Sequence, residues 1–152
     1  MKYLSILGGL VLTLAVVGRV SMAQAGTNCE DLLDNNAYFC QVTPEIGSDF
    51  TFGDCFLFNT ASPVLGDFDL TVAGLGETLG CSCETKKATK FKQTKSFLCV
   101  TALQDDNVSA EDAVAVEGKV AGKGQKIKKG QMVFEDGQSY IFNCELNSSC
   151  AP

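Results

Sequence analysis

Phe68-Asp69-Leu70-Thr71-Val72 alternates apolar and polar side chains without a break. In an extended chain successive side chains point to opposite faces. Phe68, Leu70 and Val72 therefore share one face, and Asp69 and Thr71 the other. This is the pattern of a strand with one face in a core and one toward water. The same period of two continues on both sides. Upstream, Phe50, Phe52 and Asp54 alternate with Thr51, Gly53 and Cys55 and run into Phe56-Leu57-Phe58, which reads as a largely buried strand. Asn59 to Gly66, with Pro63 inside it, reads as the loop between the two. Downstream, Leu79, Cys81 and Cys83 share a face opposite Thr78, Ser82 and Glu84, and Phe97–Ala102 is a further strand.

The remaining segments extend the pattern. Residues 113–121, with Val114 and Val116, read as a strand, and the Gly- and Lys-rich stretch Gly122 to Gly130 reads as a turn region. Met132-Val133-Phe134-Glu135 and Gln138 to Cys144 flank Asp136-Gly137, the strongest hairpin signal in the chain. Asp105-Asp106-Asn107 reads as a turn. Ahead of the strands, residues 27–36 suit one short helix, with Asn28 as N-cap, Glu30 and Asp31 at the positive end of its dipole, and Asn35-Asn36 as its stop. About six to seven antiparallel strands at short spacing predict an all-β domain, a small sandwich or barrel.

The start of the chain has a separate logic. Lys2 precedes an apolar run from Leu4 to Val17, and small residues lead to Ala23-Gln24-Ala25. A charged start, a short apolar core and a small-x-small site form the pattern of a secretory signal peptide. The run is shorter than the roughly 20 apolar residues of a spanning helix. Residues 1–25 are expected to be removed, leaving 26–152 as a single exported domain with no membrane span, extracellular or, in a bacterium, periplasmic.

All eight cysteines, Cys29, Cys40, Cys55, Cys81, Cys83, Cys99, Cys144 and Cys150, lie in that domain. An even number in an oxidising compartment predicts four disulfides. Cys81 and Cys83 point the same way from one strand, so each is expected to reach a different partner. A hairpin between their strand and Phe97–Ala102 would set Cys83 opposite Cys99. That pairing is the one specific expectation among the many that eight cysteines allow.

Charge is unevenly placed. From Gly26 to Thr85 there are ten acidic residues and no base; from Lys86 to Lys129 there are ten lysines and five acids. The domain has no arginine and is acidic overall, so nucleic acid is not an expected partner. A solvated surface explains such a split, and so does an anion-binding patch. The candidate residues for the patch are Lys86, Lys87, Lys90, Lys92, Lys95, Lys126, Lys128 and Lys129, with Lys119 and Lys123 beside them. Two Lys-rich loops lying side by side would take an anionic glycan, a lipid head group or an acidic protein surface.

Catalytic signals are sparse. The chain contains no histidine, which removes the usual general base and the commonest zinc ligand. Asp67 and Asp69 read as solvent-facing strand residues. Gly74-Leu75-Gly76-Glu77-Thr78-Leu79-Gly80 and Gly118-Lys119-Val120-Ala121-Gly122-Lys123-Gly124 miss the nucleotide-loop spacings and read as turns. No catalytic residue, cofactor or metal site is assigned. The expectation is an exported, non-catalytic binding or structural module. The alternatives are a secreted enzyme inhibitor presenting the loop between Cys83 and Cys99, a hydrolase-type enzyme without histidine, or a barrel holding an apolar ligand inside.

Overall fold

The computed structural model describes residues 28–47, 49–84, 95–102, 109 and 112–150. A short helix α1 (Cys29–Leu33) leads into eight strands: β1 (Ala37–Pro44), β2 (Phe52–Asn59), β3 (Phe68–Val72), β4 (Glu77–Cys83), β5 (Ser96–Thr101), β6 (Ala113–Ala121), β7 (Lys126–Phe134) and β8 (Ser139–Leu146). Each strand pairs antiparallel with the next, and β8 pairs with β1. The result is a closed barrel, which leaves no edge strand to template aggregation.

The barrel has one strand more than the upper end of the expected six to seven. The unforeseen one is β1. Its inward residues Tyr38, Cys40 and Val42 alternate properly, but Phe39 on the outer face and Pro44 at the end blur the pattern. A second correction concerns β7, which begins at Lys126 inside the expected turn region. Gly118 also lies within β6 and not in a turn.

The interior is filled by the barrel's own side chains. Phe56 meets Phe142 at 4.9 Å between ring centroids, Phe58 meets Phe97 at 5.3 Å and Tyr38 meets Phe58 at 5.6 Å, all edge-on. Such contacts add to the apolar burial of each ring. Small residues opposite large ones make the fit. A Cβ on Gly130 would lie 2.2 Å from Phe142 Cε2, and one on Gly118 would lie 2.8 Å from Ile127 Cγ2 and 2.9 Å from Phe97 Cζ. This apolar interior under a largely polar exterior is the inverse of a porin-like barrel. Among the described residues, no helix is long and apolar enough to cross a membrane.

All four disulfides form: Cys29–Cys83, Cys40–Cys144, Cys55–Cys150 and Cys81–Cys99. The expected Cys83–Cys99 pair is thus corrected by register. Cys81 is the residue opposite Cys99, and Cys83 lies opposite Phe97, two residues nearer the barrel end where α1 docks. Cys40–Cys144 joins the first strand to the last across the closure. Cys55 faces outward and holds the C-terminal turn Ser148–Cys150 against the barrel wall.

The helix is placed as expected. Asn28 and Asp31 form a reciprocal capping box, and Asp34 and Asn35 end the helix in left-handed conformation. Leu33 and Cys29 are buried beneath it. Leu32 O approaches Gly124 so closely that a Cβ there would lie 2.3 Å away. The Tyr38 hydroxyl donates to Gly124 O at 2.7 Å, and burial pushes the phenol up to about 12, so it stays a neutral donor. The helix therefore seals the barrel end that carries the β6–β7 turn.

Candidate functional site

Antiparallel order sends alternate connections to opposite ends of the barrel. One end receives α1, the β2–β3, β4–β5 and β6–β7 connections and the C-terminal turn. The other receives the β1–β2, β3–β4, β5–β6 and β7–β8 connections. Every described lysine falls on the first end or on the adjoining half of the β6–β7 hairpin: Lys95, Lys119, Lys123, Lys126, Lys128 and Lys129. All six are exposed. Lys86, Lys87, Lys90 and Lys92 lie outside the described residues. They belong to the β4–β5 connection, whose flanking residues Glu84 and Lys95 sit at this same end.

The β6–β7 hairpin concentrates the charge. Lys119 pairs with Ser96 on one side and lies directly opposite Lys128 on the other. Like charges in that relation repel. A bulge follows, because β7 uses both Lys128 and Lys129 to span the place where β8 offers Asn143. Lys129 takes a left-handed conformation at φ 53°, and both lysines emerge on the outer surface, where strict alternation would separate them. Lys95 is drawn in by its carbonyl, which accepts the Val120 N–H at 2.6 Å. Lys126 bridges Glu145 at 2.8 Å, the one ion pair among the described residues, and the ammonium holds that carboxyl below its usual range.

The opposite end is acidic. Glu45, Asp49, Asp54, Glu77, Asp112, Glu135 and Asp136 sit there, and no described lysine does. Two of these acids form a pair that the sequence does not advertise, 35 residues apart: Glu77 opens β4, and Asp112 immediately precedes β6. The Glu77 carboxylate accepts the Ala113 N–H at 3.0 Å and is hydrogen-bonded to Asp112. Burial, the chief cause, together with the adjacent Asp112 holds Glu77 above its ordinary value of 4.5. Asp112 is held below 3.8, first by the Ser109 N–H at 2.6 Å and then by Glu77. Such a split makes Glu77 the carboxyl that holds its proton to higher pH and Asp112 the one that ionises first.

The other two aspartates of note are structural. Asp69, expected to face solvent, is buried and accepts the N–H groups of Val64, Leu65 and Gly66 at 2.7, 2.9 and 3.2 Å. Asp54 is buried and accepts from its neighbour Cys55 and from Gly74, both at 2.7 Å. Asp67 remains exposed. No group of three or more metal-ligating side chains forms among the described residues. With this geometry in view, the chain was compared with known proteins: it matches no protein-family model and no curated protein.

Proposed function

We propose that this protein is an exported, non-catalytic binding module that holds an anionic partner, an acidic glycan or an acidic protein surface, on the lysine-bearing end of its barrel. One observation carries the reading: Lys119 and Lys128 stand directly opposed, with Lys129 beside them in the bulge, and none of the three is in an ion pair among the described residues. A like-charge pair costs stability, roughly 0.2–1 kcal/mol on a sheet surface, and an incoming anion relieves it. Signal-peptide removal and maturation in an oxidising compartment fit the four disulfides.

The test is binding of a sulfated polysaccharide and of polyglutamate across a salt series. Affinity for one or both is expected to fall steeply with salt and to weaken in the combined Lys119→Gln, Lys128→Gln, Lys129→Gln variant. Affinity indifferent to both salt and these substitutions would remove the reading.

A second reading, a hydrolase-type enzyme without histidine, is supported by the Glu77–Asp112 pair alone. A carboxyl held above its ordinary range by burial, beside one held below it, is the kind of pairing a general acid and its partner use.

A further inference from the structure

The outer faces of β1, β8 and β7 form a groove of about 470 Å³, lined by Phe39, Gln41, Asn143, Glu145, Lys126 and Lys128 among others. That volume lies within the roughly 300–1,000 Å³ of small-ligand sites. We infer that this groove binds an acidic sugar unit, a uronate or sulfated pyranose within a glycan chain; the inference rests on the anion-binding reading above and names the chemistry of the anion.

Three features of the groove select a sugar over a bare anion or a peptide. The first is Phe39. It is an outward-facing aromatic residue, 41% exposed, on a strand whose next outward positions, Gln41 and Thr43, are polar. Its ring tip rests over Gly53 of β2, where a Cβ would lie 2.3 Å from Cζ. Gly53 thus makes room for the ring to lie against the barrel wall. The C–H face of a pyranose packs against an aromatic ring in a way that phosphate or a carboxylate alone cannot.

The second feature is the amide pair. Gln41 and Asn143 are direct cross-strand neighbours and both are exposed. Side-chain amides offer donors and acceptors together, which suits vicinal hydroxyls. The third is the placement of charge at the groove's β7 side. Phe39 pairs with Glu145, and Glu145 pairs with Lys126, so ring, acceptor and cation follow one another across three strands. Lys128, one turn of the bulge away, has no such carboxylate opposite it and faces Lys119. A carboxylate or sulfate on the sugar ring would meet Lys128 while Glu145 accepts from a hydroxyl.

The experiment measures affinity for three probes: a uronate tetrasaccharide, the uncharged tetrasaccharide of the same linkage, and polyglutamate. It compares the wild type with Phe39→Ala and with Gly53→Ala, whose new methyl displaces the ring without removing it. Circular dichroism and thermal melts confirm that each variant is folded. The expected result is that the uronate binds more tightly than its neutral counterpart, and that both substitutions weaken uronate roughly tenfold, the scale of one lost aromatic contact, while polyglutamate is unaffected. Uronate binding unchanged by either variant would overturn the groove and leave the lysine reading standing. Equal binding of charged and neutral sugars would overturn the acidic class. No salt-sensitive binding of either polyanion would remove both readings together.

Discussion

At the scale of single residues, the buried and half-buried carboxylates have separate duties. Asp69 organises the β2–β3 loop by taking three consecutive N–H groups, and that loop then lies over Gly80, where a Cβ would sit 2.6 Å from Leu65 O. Asp54 ties the β3–β4 turn to β2. Glu77 differs because its protonation is linked to the fold. Its folded value lies above the unfolded 4.5, so its stabilising contribution is present below about pH 4.5 and is lost as pH rises through the folded value. Glutamine cannot ionise and keeps the acceptor for the Ala113 N–H. Glu77→Gln is therefore expected to gain stability relative to wild type between pH 4.5 and pH 8. The gain should be below about 1 kcal/mol, because the site is partly open to water. Urea denaturation across that range measures it. A stability difference that does not change with pH would show that Glu77 titrates normally. If the second functional reading held, the same variant would also lose activity against a panel of glycosides.

At the scale of elements, the β7 bulge decides where the charge goes. Residues 126–129 read Lys-Ile-Lys-Lys, and no period of two assigns both Lys128 and Lys129 to the surface. The chain resolves this by giving β7 one extra residue against both neighbours, with Lys129 left-handed. Replacing Lys128 with glutamate converts the repulsive pair with Lys119 into an attractive one. Lys128→Glu is expected to stabilise the barrel by roughly 0.2–1 kcal/mol at low salt and to weaken polyanion binding. Chemical denaturation at low and high salt, beside a binding curve, reads both effects. A destabilised variant would mean that Lys128 is held by something other than its charge.

The same element shows what was legible in the sequence. Strands with clean alternation, β3 above all, and the Asp136-Gly137 hairpin follow directly from residue pattern. So do the all-β class, the capping of α1 and the lysine set. The bulge, β1 and the disulfide pairing depend on register, and register is a property of two strands and not of one. Cys81 and Cys83 are equivalent in their own strand; only the alignment with Cys99 separates them. The Glu77–Asp112 pair and the groove around Phe39 are assembled from distant segments, and local periodicity has no access to either.

At the scale of the molecule, the barrel is electrically polar: described lysines crowd one end, and the other holds only acids. The lysine end also carries Glu30, Asp31, Asp34, Asp67, Glu84 and Glu145, so attraction of a polyanion is local to the lysine row and weakened by salt, while the other end repels one. Closure is the other whole-molecule property: the β1–β8 ladder makes it, and two long-range bridges reinforce it. Cys40–Cys144 and Cys55–Cys150 span 104 and 95 residues. In the unfolded chain each makes the other nearly redundant. With Cys55–Cys150 intact, the path from Cys40 to Cys55, across the bridge and back from Cys150 to Cys144, is only about 20 residues, a closure comparable to the 18 residues of Cys81–Cys99. Removing either long bridge by paired Cys→Ala substitution should therefore cost about 3 kcal/mol, near the cost of removing Cys81–Cys99. Removing both forfeits that short closure, about 3 kcal/mol, and in addition the closure of a loop of nearly the whole domain, about 4.7 kcal/mol. The combined loss should exceed the sum of the single losses by roughly 1–2 kcal/mol. Guanidinium denaturation of the three variants tests this. Strict additivity would mean that the bridges act locally on the folded wall and that chain closure contributes little to holding the barrel shut.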